Sequence, residues 1–237
     1  MLKQSRVGVV IPTYNHGTRV SDVVWQARAL NLPVFVVDDG STDNTAEILS
    51  SMEGITVLTH PENRGKGAAL RTGFKAALQS CDWAVTLDAD GQHKAEDVGN
   101  LLRAVPDALR PIVIGNRQGM TGEHVPWTSK FGRKFSNFWV WVSGGPLVGD
   151  SQSGFRLYPL PESFDLDVQA RRFQFEVEIL VKARGAGIPV FEAPVQVVYQ
   201  KGAERISHFH PWKDFFRNSI TFSKLICKRI FSRRIKP

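Results

Sequence analysis

The sequence predicts an α/β domain in which helices flank a mostly parallel central sheet, with an amphipathic helix at the C-terminus. Three observations carry this reading. Short β-branched runs alternate with stretches of helical period through the first half of the chain. Polar clusters follow several of the strand-like runs. Near the end, apolar and basic residues interleave.

The strand-like runs are Val7 to Ile11, Val34 to Asp38, Ile55 to Thr59, Trp83 to Asp88 and Ile112 to Gly115. Between them, Arg19 to Leu30, Thr45 to Met52, Lys66 to Gln79 and Glu96 to Val105 carry helical periodicity. Ser41, Thr42 and Asp43 are suited to cap the second helix, and Gly65 with Gly67 opens the third. Past Gly115 the chain turns Gly-rich and aromatic. A helix is expected over Trp127 to Val142, a turn at Gly144 to Pro146, a strand over Gly154 to Tyr158, a helix over Phe173 to Ala186 and a strand over Val190 to Tyr199. This second block reads as an extension of the same sheet.

A chain of 237 residues with 42% apolar and 22% charged residues has ordinary globular composition, which argues against disorder and coiled coils. The polar start, Met1 to Arg6, leads into an apolar run too short for a signal peptide or a membrane span. Cys81 and Cys227 are far apart and read as reduced thiols, in keeping with a cytoplasmic setting. Eight Lys or Arg residues against the single acid Asp214 between Lys213 and Lys236 account for the whole net charge of +7. That amphipathic tail is too charged to span a bilayer and suits the surface of an anionic leaflet rather than nucleic acid. A basic helix packed on the body is the plainer alternative.

In a parallel sheet the ligand rim lies beyond the carboxyl ends of the strands, so Pro12 to His16, Asp38 to Asp43, Asn63 to Lys66 and Asp88 to His93 are expected to share one rim. Two carboxylates two residues apart, Asp88 and Asp90, can hold a hard divalent cation that bridges the phosphates of a nucleotide diphosphate. Asp38 and Asp39 exceed what capping needs and could accept hydrogen bonds from a base or ribose. The glycines around Lys66 let backbone N–H groups approach phosphate. The full Walker spacing is absent, and His16, His93, His208 and His210 lack the cysteine pairing of a zinc site.

Four ordered segments, Ile11-Pro12-Thr13-Tyr14-Asn15, Val37 to Asp43, Asn63 to Gly67 and Leu87 to Gln92, resemble the signatures of family 2 glycosyltransferases with the Rossmann-like GT-A fold. Within that family the chain is similar to dolichyl- and polyprenyl-phosphate mannosyl- or glucosyltransferases, a match strengthened by Ile114 to Arg117 and Asp150 to Arg156. The resemblance spans roughly residues 7 to 200. It implies an inverting hexosyltransferase using a UDP- or GDP-sugar and a lipid-linked acceptor, held peripherally at the inner face of the membrane in cell-envelope chemistry. Residues 1–204 would form the GT-A domain, 1–115 its nucleotide-sugar half and 116–204 its acceptor half, with a mobile loop and membrane-surface tail over 205–237.

By the same resemblance, Pro12, Tyr14, Asn15, Asp38, Asp39, Lys66, Asp88, Ala89 and Arg205 would bind the nucleotide-sugar. Asp88, Asp90 and Gln92 would surround Mg²⁺ or Mn²⁺. Arg117 would face a phosphate, with Lys130 or Arg133 as a further basic group, and Ser153 and Arg156 would shape the acceptor side. A hydroxyl acceptor would need a base, for which Asp150, Glu176 and Glu178 are candidates. Glu178 is assigned an acceptor-orienting or structural role, and a lipid phosphate would need no base because it is already ionised. A sugar-nucleotide pyrophosphorylase would open with a Gly-rich loop where Pro12 to Asn15 stand. A non-catalytic membrane adaptor would bind no nucleotide, and a processive synthase would show the Gln-x-x-Arg-Trp run that is absent here.

Overall fold

The computed structural model describes residues 6–118, 127–197 and 219–227. Its first two strands, β1 (Val7–Thr13) and β2 (Val34–Asp38), are buried along their whole length. Unbroken apolar runs of this kind belong to parallel strands covered on both faces. The helices α1 (Val20–Arg28), α2 (Thr45–Ser50), α3 (Lys66–Ala77) and α4 (Val98–Arg103) alternate with these strands and with β3 (Thr56–Thr59), β4 (Trp83–Thr86) and β5 (Ile112–Gln118). Then come α5 (Trp127–Val142), β6 (Arg156–Pro159), α6 (Glu162–Asp165), α7 (Phe175–Gly185), β7 (Val190–Gln196) and a last helix, α8, over 219–227.

The seven strands form one sheet in the order β3-β2-β1-β4-β6-β5-β7. β6 runs antiparallel to both β4 and β5, and the other pairings are parallel. The strand period of two divides the core. Val9, Ile11, Val36, Val85 and Val113 face α1, α2 and α4, whereas Val10, Phe35, Ala84 and Ile114 face α3 and α7. Strand order reverses at β1, which lies between β2 and β4, so the crevice beyond its carboxyl end is the switch point where ligands bind in open α/β sheets.

The opposed direction of β6 matters for function. Its beginning lies on the same rim as the ends of β4 and β5, which brings the segment Asp150 to Phe155 beside Asp88 and Arg117. The predicted strand at Ile112 is longer than its apolar part, because Asn116, Arg117 and Gln118 continue the pairing with β7.

The described part of the tail packs on the body. Phe222 is buried, with its ring centroid 6.2 Å from that of Trp139 on α5. Among the described residues no helix is long and apolar enough to cross a membrane.

Candidate active site

The loops after β1 and β2 are latched to each other by side chains. Asn15 adopts a left-handed backbone with φ of 53°, a conformation asparagine tolerates. Its N–H donates to Ser41 Oγ (2.9 Å), and its Oδ1 accepts from the Thr42 N–H (2.8 Å). Asp43 accepts from the N–H groups of Gly17 (3.1 Å) and Thr45 (3.0 Å). Ser41 and Thr42, expected as helix caps, therefore serve the neighbouring loop, and only Asp43 reaches the start of α2. Pro12 is buried within β1 opposite Val37, while Tyr14 is half-buried at the rim.

Asp38 and Asp39 were expected to face a nucleoside, but both are buried. Asp39 takes His60 Nδ1 (2.6 Å) and the Arg64 N–H (3.0 Å) on Oδ1, and the Gly65 N–H (2.7 Å) on Oδ2. It therefore anchors the loop that leads into α3. Asp38 Oδ1 accepts from the Ser41 N–H (3.0 Å), and its Oδ2 is buried without a hydrogen bond among the described residues. At the N-cap of α3, Gly65 has φ of 98°, and a Cβ there would lie 2.4 Å from the Arg171 carbonyl oxygen. Only glycine fits.

The centre of the rim holds a lysine between two carboxylates. Lys66 Nζ is 2.7 Å from Asp88 Oδ1 and 2.8 Å from Glu176 Oε1. Burial works against both ionised partners, but the mutual charges and hydrogen bonds outweigh it. The ammonium is raised above its ordinary range and the Asp88 carboxyl is lowered below its own. Gly154 lines this pair so closely that a Cβ would sit 2.5 Å from Nζ and 2.6 Å from Asp88 Oδ2. Ala89 is buried beside Asp88, and Asp90 Oδ1 accepts the Gln92 N–H at 3.0 Å.

His93 stacks against Phe155 at 5.1 Å between ring centroids. Burial lowers its imidazole to about 4; the Asp88 charge opposes this shift, and those of Arg117 and Lys66 assist it. At neutral pH the ring is uncharged, so the cationic side of the site is lysine and arginine.

Arg117 grips Asp150 with both ends of its fork: Nε to Oδ2 at 2.6 Å and Nη2 to Oδ1 at 2.9 Å. Arg133 Nη1 is 3.9 Å from the same Oδ2. Asp150 has no exposed surface, and its own N–H donates to Glu192. Arg117 and Arg133 are thus brought together around Asp150, with the carboxylate as their anchor.

Two expected roles change. Arg156 was assigned to the acceptor face, but it is fully buried and donates to the carbonyls of Ser151 (2.7 Å), Ser153 (2.7 Å) and Glu176 (2.8 Å). It shapes the rim from beneath. Ser153 is equally buried. Glu178 accepts from the Gln169 (3.1 Å) and Ala170 (2.8 Å) N–H groups and pairs with Lys182 (2.9 Å), a structural role rather than an acceptor-orienting one. Glu176 takes the place in the site, because two residues along a helix turn a side chain by about 200°. Arg205 and the side chain of Lys130 lie outside the described residues.

Among the described residues no three acidic, histidine or cysteine side chains converge as a metal-ligating group. A hard divalent cation does not need them: one or two carboxylates with phosphate oxygens and water suffice. Asp88, with its side chain 25% exposed, and the half-buried Asp90 offer oxygen donors at the rim. The residues fit such an ion.

The family described as Glycosyl transferase family 2 matches residues 8–159. The chain is 30% identical over 213 residues to the UDP-N-acetylglucosamine–dolichyl-phosphate N-acetylglucosaminyltransferase of Methanococcus voltae, covering 81% of this chain and 85% of that protein. It is 31% identical over 207 residues to the polyprenol monophosphomannose synthase of Mycolicibacterium smegmatis, covering 80% and 76%. The crystal structure of mannosyl-3-phosphoglycerate synthase from Rubrobacter xylanophilus superposes with a TM-score of 0.61 at 16% identity, over 98% of this chain and 76% of that one, a likeness of fold alone. With its GT-A sheet and with the rim residues from Pro12 to Arg156 inside the matched segment, the chain belongs to glycosyl transferase family 2.

Proposed function

We propose that this protein moves a hexosyl group, with inversion, from a UDP- or GDP-sugar to a polyprenyl or dolichyl phosphate. The supporting observation is the state of the three carboxylates that could act as a base. Asp150 is doubly held by Arg117, Glu176 is held by Lys66, and Glu178 is spent on backbone N–H groups and Lys182. A hydroxyl acceptor would need one of them to take its proton. A phosphate acceptor needs none: the Methanococcus relative is named for transfer involving dolichyl phosphate, and the Mycolicibacterium relative for making a polyprenol monophosphomannose.

In this reaction the bond from the anomeric carbon to the donor diphosphate breaks as an oxygen of the lipid phosphate forms its own bond from the opposite face. The electron pair leaves with the diphosphate. A Mg²⁺ or Mn²⁺ ion held by Asp88 and Asp90, with Gln92 alongside, would supply Lewis-acid neutralisation of that leaving charge. Arg117 and Arg133, fixed by Asp150, would orient the acceptor phosphate.

Phe138 and Trp141 are exposed on α5 with their rings 6.3 Å apart between centroids, an apolar pair suited to a bilayer that carries the lipid acceptor.

Purified protein should be given a panel of UDP- and GDP-sugars with polyprenyl phosphate or polyprenol, and the product's anomeric configuration read by NMR coupling constants. The expected product forms on the phosphate and is inverted relative to the donor. Transfer to polyprenol alone, or retention of configuration, would overturn the reading.

A further inference from the structure

We propose that Lys66 is an internal counter-cation for Asp88: it occupies the carboxylate until a nucleoside diphosphate arrives, and so couples divalent-cation binding to the diphosphate. The inference rests on the reading that Asp88 and Asp90 hold the metal.

Lys66 is the first residue of α3, a twelve-residue helix with no acid in its first turn. A cation is disfavoured there, because the helix N-terminus already carries partial positive charge. Two carboxylates answer this excess, and the ammonium is confined between them, 16% exposed and walled by the Gly154 backbone. A dication at Asp88 would meet the ammonium at close range in a poorly hydrated pocket, where like charges repel strongly. Anionic phosphate oxygens relieve that conflict by pairing with both.

The ammonium also has somewhere to go. Glu176 Oε2 is buried and has no hydrogen bond among the described residues, although Oε1 of the same carboxylate already holds Lys66. When Asp88 is released, Nζ keeps Glu176 and can donate to its second oxygen. Buried unsatisfied acceptors are uncommon. Here the open acceptor belongs to the same carboxylate that already holds the ammonium.

The test is Mn²⁺ titration of the whole protein, followed by EPR of the unbound ion, with and without GDP or UDP. In the unmodified protein the diphosphate is expected to tighten Mn²⁺ binding at least about tenfold, within the usual range of coupling between sites. Lys66→Met should bind Mn²⁺ alone about tenfold tighter than the unmodified protein, with the diphosphate enhancement reduced to about twofold. Glu176→Gln guards against a folding failure in Lys66→Met and should act oppositely. With Asp88 as the only carboxylate on Lys66, Mn²⁺ alone should bind more weakly and the diphosphate enhancement should grow. An unchanged enhancement in either folded variant would overturn the role of Lys66. Asp90→Asn separates the two levels: if it leaves Mn²⁺ binding intact, the metal site itself is misassigned and the inference falls with it.

Discussion

Replacing Asp90 with alanine is expected to lower kcat/KM for sugar transfer by about 10²–10³-fold, the usual cost of removing one electrostatic element from a transition-state site. The folded state should barely notice. In the structure the Asp90 carboxylate accepts the Gln92 N–H at the half-buried rim, a contact worth about 1 kcal/mol. Asp88 is a poorer probe, because its removal also strips Lys66 of one of its two carboxylates and alters the electrostatics of the whole pocket. The measurement is kcat/KM with the best donor and polyprenyl phosphate, alongside the Tm. A loss of only a few-fold at unchanged Tm would remove Asp90 from the chemistry.

Arg156→Met should be the costliest single change to stability, about 3–5 kcal/mol. Methionine fills much of the space of the arginine stem, but three buried carbonyls lose their donor. Those of Ser151 and Ser153 form the rim segment, and that of Glu176 lies in the first turn of α7. The same change should loosen both the Asp150 anchor and the Lys66 cage, so activity falls with stability. Urea denaturation with an unchanged m-value measures the loss directly. A cost below about 1 kcal/mol would mean that the rim does not depend on the buried guanidinium.

Much of this architecture is legible in the residues. Apolar runs such as Val7 to Ile11 and Val34 to Asp38 announce buried parallel strands, and the polar clusters after them fall on one rim because parallel strands end on one side. Other features are not local. Nothing in Arg156 to Pro159 reveals that β6 runs against its neighbours, yet that reversal delivers Gly154 to Asp88 and Asp150 to Arg117. β5 continues through Asn116 to Gln118 because β7 offers it backbone partners, which apolar periodicity does not register.

Site roles divide in the same way. The pairing of Asp88 with a cation and of Arg117 with Asp150 involves residues the motifs single out. Which of Glu176 and Glu178 enters the site depends on where α7 begins, a boundary that periodicity places only loosely. His60, the buried partner of Asp39, is missed altogether, since its signal is only a lone histidine after an edge strand. Arg156 is given an acceptor-side role only by the family resemblance, which carries no information about its burial. Its burial becomes understandable once the three carbonyls around it are seen.

The central claim is that Asp88 and Asp90 hold a divalent ion against the diphosphate of a sugar donor. Anomalous diffraction at the manganese edge, from crystals grown with Mn²⁺ and the nucleoside diphosphate of the active donor, tests it most directly. The account predicts one manganese peak within about 2.1–2.2 Å of an Asp90 oxygen and of a phosphate oxygen, with the phosphates near the start of α3. A nucleotide bound away from β1 and β4, or one bound at this rim with no metal between it and Asp90, would contradict it.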